Sequence, residues 1–423
     1  ASRGMQASRS MQTVWERVRA EPYVAGHWTA LVRTAEGTED LAEIRKAFDG
    51  LLDRFPLCYG FWKKYADLER RLGGDAGADA ALGVYERGAQ AVPESVDLWV
   101  NYAALLAEAR PEDADAIRTV YERAVEGAGL DYLAHPLWAA YATFEQRAGG
   151  ARAALAVYRR GLMVHLKDLR VLLDKALQLA RESPAEDVLA AWGVEGAGGA
   201  EETHEAAVAR AQAWADRTAA DNERCVPFEG HIRRPHFHWI PLDSAQLGAW
   251  HDYLDAEIAW ARTAPADGRG PDAPVGYAPA TPAARVHALF RRCLVACASY
   301  GAYWLRYADW LAADGADEAA SAQVLERGAL RFARQHAGLA LAHALASESR
   351  GDAAGALAAY DLLTQAGDAA GGTEPPEHWA EACVARAHAS RRLQRAGAWP
   401  PEGAEADPFA HMARAAAKAA ALV

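Results

Sequence analysis

The sequence predicts an all-α protein, an α-solenoid of helix-pair repeats arranged in two arrays. The main observation is that two short motifs alternate along the chain with a period of roughly 35 residues, a length typical of stacked helical repeats. The second is that no segment shows sustained alternation of apolar and polar residues, so we expect almost no β-sheet. We therefore predict more than about 65% helix.

The first motif begins with tryptophan, usually followed by tyrosine at the third position and in three copies by glutamate at the seventh. The first four copies are 34, 37 and 39 residues apart. These positions share one face of an α-helix, which we expect to pack on the second helix of the same repeat. The predicted repeat core contains Trp28, Trp62, Tyr65, Trp99, Tyr102, Trp138, Tyr141, Trp250, Tyr253, Trp304 and Tyr307.

The second motif combines an aliphatic residue, an aromatic residue, charge and a small residue. Its aromatic residue follows the tryptophan by 23, 22 and 20 residues in three successive repeats, enough for one helix, a turn and most of a second helix. One helix pair cannot bury its own apolar face, whereas stacked pairs can. The copies are Val84–Gly88, Val120–Ala124, Val157–Gly161, Leu289–Cys293 and Val324–Gly328.

Changes in composition divide the chain into three predicted regions. An N-terminal array covers residues 1–192, and residues 193–242 contain a glycine-rich linker, a connecting helix and a connector. A C-terminal array covers 243–423 and is interrupted by a loop at 264–281 that is rich in proline and glycine.

The connector at 225–241 has three prolines and a high density of aromatic residues. We expect it to be extended and not helical, since proline disfavours helix at the residue before it. We also expect it to be ordered, with Pro227, Phe228, Phe237 and Trp239 packed across the junction of the arrays, because these side chains are too apolar for a solvated linker.

Composition excludes several classes of protein. The 45 Lys and Arg against 57 Asp and Glu give a net charge of −12, which argues against RNA binding by the whole surface. No apolar run suits a membrane helix and the first residues do not resemble a signal peptide, so we expect neither. Five cysteines without paired short spacing suggest buried apolar residues and a reducing compartment.

The sequence gives no catalytic constellation, and we predict neither an enzyme nor a cofactor. Glu69, Glu145 and Glu257 recur at one repeat position, so we interpret them as partners of the adjacent helix, for example of the tyrosine or arginine of the second motif. No phosphate-binding loop or hydrolase motif is present.

The histidines of the connector suggest a metal site only weakly. His236 and His238 could act as two ligands, with His231 or His251 as a third. No acidic or cysteine ligand of suitable type lies near them in sequence, so we predict no metal.

A basic island stands out in this acidic chain. Arg233 and Arg234 lie close to Arg224 and to three histidines. Two interpretations stay open: a contact with RNA phosphates or an acidic peptide, or pairing with acids of neighbouring helices. The candidate contacts for a partner are Arg233, Arg234, Pro235, Phe237 and His238.

The two motifs together resemble the half-a-tetratricopeptide (HAT) repeat. Longer stretches resemble the pre-mRNA-processing factor 39 family, and the similarity covers about residues 14–350 and includes the connector outside the repeats. The loops at 193–203 and 264–281 depart from the family, and the last 70 residues resemble it weakly. The stretches that carry the resemblance are 55–69, 95–99, 232–238 and 241–247.

The resemblance implies a nuclear scaffold of pre-mRNA splicing. It implies association with the U1 snRNP, support of 5′ splice-site selection, and bridging to alternative-splicing factors through protein contacts. Two alternatives remain: a HAT scaffold of 3′-end cleavage or ribosome assembly, and a protein that grips RNA directly.

We also expect a homodimer, or a pair with a paralogous HAT protein, through about residues 336–423. A solenoid must cap its last apolar face or bury it against a partner, and the C-terminal repeats keep many apolar residues. The resemblance implies the same arrangement. The interface candidates are Trp379, Val384, Leu393, Phe409, Met412 and Leu422.

Overall fold

The structure is a computed structural model that describes residues 2–193, 203–270, 272–314, 317–334, 336–369, 384–389, 391, 392 and 395. The described residues are 76% helical and form no strand. The predicted all-α class is therefore confirmed. None of the described helices is long and apolar enough to cross a membrane.

The chain forms two compact units, Ala1–Val295 and Ala296–Val423. The first unit ends within the last helix of the following series. Its helices are α1 (Ser2–Ala20), α2 (Ala25–Glu36), α3 (Leu41–Arg54), α4 (Tyr59–Leu72), α5 (Gly77–Ala91), α6 (Val96–Ala109), α7 (Ala114–Ala128), α8 (His135–Ala148), α9 (Gly150–Gly161), α10 (Leu169–Glu182), α11 (Ala185–Trp192), α12 (His204–Asn222), α13 (Val226–His231), α14 (Ser244–Thr263) and α15 (Pro282–Ala296).

The second unit repeats the same helix-pair arrangement. α16 packs on α17, and α18 packs on α19. Trp304 and Tyr307 of the first motif are buried on α16. The helices are α16 (Gly301–Ala313), α17 (Glu318–Arg327), α18 (Ala337–Ser349) and α19 (Ala353–Ala369).

Local sequence explains where the helices of the first unit begin and end. The Asp113 side chain caps α7 by accepting a hydrogen bond from the Ala116 amide at 3.0 Å. Glycine pairs follow α4 and α8, where Gly74 and Gly150 have φ of 58° and 78°, a backbone conformation that favours glycine. α4 and α8 therefore end sharply, and the chain turns back into the second helix of each repeat.

The tryptophans of the first motif are buried, and most of their indole N–H groups donate to the turn before their own helix. In Trp62 and Trp99 the acceptors are the carbonyls of Pro56 and Pro93, each at 2.8 Å. Trp28 and Trp304 make the same bond to the residue six positions earlier, and Trp138 makes one to Gly129. The tryptophan thus fixes the orientation of the first helix relative to the turn that precedes it.

The small residue that ends the second motif gives the tryptophan room. A Cβ atom on Gly88 would lie 3.1 Å from the Trp62 side chain, and one on Gly328 would lie 2.7 Å from Trp304. Glycine therefore lets the second helix approach the ring closely. The tryptophan of the first motif and the glycine of the second motif therefore pack against each other within these repeats.

The prediction that the connector at 225–241 is not helical is wrong for its first part. Residues Val226–His231 form α13, with Pro227 in the first turn. Proline is tolerated there because the first amide groups of a helix have no partner within the helix. Residues 232–243 are irregular and lead into α14, which Asp243 caps.

The loop at 264–281 is irregular but anchored. Tyr277 is fully buried, and Thr218 of α12 donates to its hydroxyl at 3.1 Å. Trp214 of α12 donates its indole N–H to the carbonyl of Val275 at 2.9 Å. The predicted boundaries of the two arrays, at residues 192 and 243, stay a prediction. The first compact unit continues past residue 243 and ends at Val295.

We expect Trp99→Ala to lower the free energy of unfolding by about 3–5 kcal/mol, because it removes a large buried ring and its hydrogen bond. Urea denaturation followed by circular dichroism measures this change. The exposed Val171→Ala serves as the control and should have little effect. Since solenoid stability is a sum of local and neighbouring terms, a partly folded state should appear first. A single global transition would contradict this expectation.

Candidate interaction site

A ladder of ion pairs joins the second helices of successive repeats. Arg87 contacts Asp49 at 2.6 Å and Arg123 contacts Glu86 at 2.8 Å, each one repeat earlier. Arg160 contacts Glu122 in the same way at 2.6 Å. The guanidinium groups of the three arginines also lie 5.3–5.5 Å from the rings of Trp62, Trp99 and Trp138.

Tyrosines of the first motif support this ladder. Tyr102 donates its hydroxyl to Glu86 at 2.9 Å, and Tyr141 donates to Glu122 at 2.6 Å. The hydrogen bond from Arg123 is the main cause that lowers the pKa of Glu86 to about 2. The hydrogen bond from Arg160 likewise lowers the pKa of Glu122, so both acids are charged at neutral pH.

The ladder stops at α9. Arg159 occupies the position of the second motif that Glu86 and Glu122 hold in the two preceding repeats. It donates to the carbonyl of Ala191 at 3.2 Å and lies 4.9 Å from the Trp214 ring. At this position α9 therefore contacts α11 and α12, and not the second helix of a further repeat.

The repeated glutamates of the first motif bind arginines of the adjacent helix. Glu69 accepts two hydrogen bonds from Arg45 of α3, both at 2.7 Å. Glu145 accepts two from Arg118 of α7, at 2.7 and 3.1 Å. The suggestion that the partner is the tyrosine or arginine of the second motif is wrong, since Arg118 lies two residues before the copy Val120–Ala124 and Arg45 lies on α3, to which no copy of the motif is assigned.

The irregular part of the connector is held by its own polar groups and by Gln246 of α14. Gln246 accepts from the Arg233 amide at 2.9 Å and donates to the His231 carbonyl at 2.8 Å. The Arg234 guanidinium donates to the Ile240 carbonyl at 2.8 Å and closes the loop, and it pairs with no acid among the residues that the structure describes. The His238 ring accepts from the Ile240 amide at 2.9 Å.

Aromatic contacts place the connector against elements of both predicted arrays within the first unit. Phe228 stacks on Tyr253 of α14, with ring centroids 5.3 Å apart. Trp239 lies 6.0 Å from Phe61 of α4. Pro235 and Phe237 lie between Phe228 and Trp239 in the sequence, and both are half-buried.

Two buried ion-pair clusters lie where α13, α14 and α15 meet the turns between earlier repeats. In the first cluster, Arg292 contacts both carboxylate oxygens of Glu229 and also Asp131 at 3.2 Å. Its guanidinium lies 5.5 Å from the Trp250 ring. Burial opposes the charge of Arg292, but Asp131 and Glu229 outweigh it and raise the pKa of this arginine.

The second cluster surrounds Glu257. One carboxylate oxygen accepts from Arg285 at 2.8 Å, from Arg224 at 3.0 Å and from the Cys225 thiol at 3.1 Å. The other oxygen is buried and has no hydrogen-bond partner in the described part of the chain. Arg285 also donates to the His165 ring at 3.1 Å. Arg224 thus supports the fold and does not belong to the exposed basic island.

Cys225 differs from the buried apolar cysteine that the sequence suggests, because it contacts Glu257 and Arg285. Burial, followed by Glu257, raises the pKa of Cys225 to about 11, so the group is a thiol at neutral pH. Burial also lowers the pKa of His165 well below its usual value and keeps the ring neutral.

A cavity of about 310 Å³ lies beside the two clusters, lined in part by Glu94, His165, Glu257, Arg285 and Arg292. Most of its charges already pair with one another. Within the described ranges, no three His, Cys, Asp or Glu residues are grouped so that they could bind a metal ion. His251 pairs with Asp255 at 3.4 Å and does not join the connector histidines in a metal site.

The structure describes one of the six interface candidates. Val384 is 41% exposed. Trp379, Leu393, Phe409, Met412 and Leu422 lie outside the described residues.

The stacked helix pairs, with tryptophan on the first helix and arginine on the second, define an α-solenoid of the HAT class. Residues 12–176 match the family model described as the PRP39 N-terminal HAT repeat, and residues 223–392 match that of the PRP39 C-terminal HAT repeat. The chain belongs to the pre-mRNA-processing factor 39 family.

Relatives named pre-mRNA-processing factor 39 match much of the chain. The Schizosaccharomyces pombe protein is 30% identical over 402 residues, covering 84% of this chain and 61% of its own length. The Homo sapiens protein is 32% identical over 338 residues, covering 70% of this chain and 47% of its own length. The Xenopus laevis protein is 31% identical over 332 residues, covering 70% and 48%. The chain thus spans about half to three fifths of the length of these relatives.

We expect Arg292→Met and Glu229→Met each to lower the free energy of unfolding by about 3–5 kcal/mol, because each leaves a buried charge without its main partner. The double variant Arg292→Met/Glu229→Met should lose less than the sum, since two apolar side chains of similar size need no partner. Urea denaturation of the four proteins measures the coupling.

The matched control is Arg170→Ala, which breaks an exposed pair with Asp174 and should cost about 0.3–0.5 kcal/mol. Additive losses in the Arg292 and Glu229 variants would contradict a directly coupled buried pair.

Proposed function

We propose that this chain is a non-enzymatic nuclear scaffold in pre-mRNA splicing, associated with the U1 snRNP. It supports 5′ splice-site selection and alternative splicing through contacts between proteins. The observation that carries the proposal is the match of both halves of the chain, including the connector, to a family whose members are named pre-mRNA-processing factor 39.

The physical properties of the first unit support a scaffold role. Ladder pairs such as Arg123 with Glu86 join neighbouring repeats along the surface, and the buried pair of Arg292 with Glu229 joins α15 to the connector. A scaffold of this kind presents extended surfaces to several partners while its repeats keep their relative positions. This role needs no catalytic group, only surfaces held in place.

A pull-down from nuclear extract with the tagged full chain tests this proposal. We expect enrichment of U1 snRNA and U1 snRNP proteins, and we expect the proteins to remain bound after nuclease treatment because the contacts are between proteins. Beads with the tag alone are the control.

Other outcomes would favour the competing functions. Enrichment of 3′-end cleavage or ribosome-assembly factors without U1 components would replace the proposal with another HAT scaffold. Loss of all bound proteins after nuclease treatment would favour a direct RNA binder.

Assembly into a homodimer, or with a paralogous HAT protein, through about residues 336–423 is part of the proposal. Apolar side chains in this region support it, since Leu345 is 49% exposed on α18 and Val384 is 41% exposed. Obligate dimers usually bury more than about 2,000 Å² in total. A two-fold arrangement is the default for identical chains.

Light scattering at micromolar concentration should give about twice the chain mass of 45.5 kDa. We expect a Leu345→Glu/Val384→Glu variant to shift towards the monomer, because charge at an apolar interface must be desolvated. Val171→Glu, at an exposed site in the first unit, should leave the mass unchanged. Deletion of residues 376–423 should give a monomer or an insoluble product. A soluble, folded monomer from the intact chain would refute the dimer.

A further inference from the structure

An exposed surface of the first unit combines aromatic rings with cationic side chains. We call it the connector patch and define it by Tyr23, Arg54, Tyr59, Arg233, His236 and Trp239. Two pairs of its members are in contact, since the Arg54 guanidinium lies 4.5 Å from the Tyr23 ring and His236 lies 6.2 Å from Tyr59, and Arg233 belongs to the same irregular segment as His236 and Trp239. Trp239 lies 6.5 Å from Phe55, the residue that follows Arg54.

The apolar members of this surface are exposed to an unusual degree. Tyr23 is 59% exposed, Trp239 is 36% exposed, and the adjacent Ile240 is 60% exposed. The tryptophans of the first motif, by contrast, are buried in their repeats. Aromatic rings that stay partly exposed, in a fold that buries such rings elsewhere, indicate a surface with a ligand.

Arg233 is the cation of the patch that is available to a ligand. It is exposed, its backbone amide binds Gln246, and its guanidinium makes no ion pair or hydrogen bond with any residue that the structure describes. The arginines of the ladder and of the two buried clusters all bind carboxylates. Arg234 holds the Ile240 carbonyl, which keeps Trp239 and the exposed residues beside it in position.

Rings and cations in alternation fit single-stranded RNA better than an acidic peptide. Unpaired bases stack on aromatic side chains while arginine contacts the phosphates between them. An acidic peptide would neutralise Arg233 but would leave the ring faces of Trp239 and Tyr59 without a partner. Duplex RNA keeps its bases inside the helix and could not use the rings.

We propose that the connector patch binds single-stranded RNA, with a base stacked on Trp239 and a phosphate at Arg233. The site is local, because the chain as a whole carries a net charge of −12 and repels polyanions elsewhere. This activity goes beyond the scaffold role and does not depend on it, since it requires only the geometry of the first unit.

Fluorescence anisotropy with the full chain and a labelled oligouridine strand of about 12 nucleotides tests the proposal. Trp239→Ala should weaken binding about tenfold, as loss of one stacking platform does, whereas Trp239→Phe should retain most of the affinity. Arg233→Gln should lower the slope of log affinity against log salt by about 0.7, the value for one phosphate contact on a single strand.

The matched control is Arg181→Gln, which removes an exposed arginine at the end of α10 and should bind as the unchanged protein does. Circular dichroism of each variant separates loss of binding from loss of fold. A duplex RNA of the same length and a polyglutamate peptide complete the comparison, and both should bind more weakly than oligouridine.

Several results would overturn the proposal. They are no binding at low salt, equal binding of duplex and single strand, or unchanged affinity in Trp239→Ala and Arg233→Gln together. Tighter binding of polyglutamate than of oligouridine would identify the connector patch as a site for an acidic protein segment and would also overturn it.

Discussion

The hydrogen bond from a buried indole N–H to the turn before its own helix is the contact on which five of the repeats depend. It satisfies the polar edge of the largest side chain in the core, and it ties the start of the first helix to the end of the preceding repeat. Because Gly88 and Gly161 let the second helix approach the ring, the same tryptophan also sets the spacing within the repeat. Backbone direction and core packing are therefore determined by one residue.

Trp250 shows what changes where this contact is absent. Its ring is fully buried but its indole nitrogen has no hydrogen-bond partner among the described residues, and Arg292 lies over it. Trp62, Trp99 and Trp138 make an arginine cation–π contact in addition to the backbone hydrogen bond, whereas Trp250 keeps only the cation–π contact, inside a cluster of buried ion pairs. Such pairs contribute little net stability but are costly to disrupt, so they specify which surfaces meet. The connector is consequently held against its neighbours within the first unit by specific ion pairs as well as by apolar burial.

The features that could be predicted from the sequence are those that repeat along it. The helix pairs, the tryptophans and the glycines that end helices repeat at a fixed spacing, so each copy supports the assignment of the others. The buried clusters were missed because Arg292 and Glu229 are 63 residues apart and follow no local pattern. Tyr277 looked like a loop residue, and only the fold brings it to Thr218. The helix α13 was missed because proline was given its usual meaning, although Pro227 occupies the first turn, where it is tolerated.

The ladder of ion pairs has a consequence for how such a chain can lengthen. Each second helix that carries both an acid and an arginine is complementary to a copy of itself, so a duplicated repeat would find its partner charge on either side. Arg159 interrupts this self-complementarity, because an arginine stands where the next copy would need an acid. The number of identical repeats that can stack in succession is thus limited by one charge reversal at the end of the series.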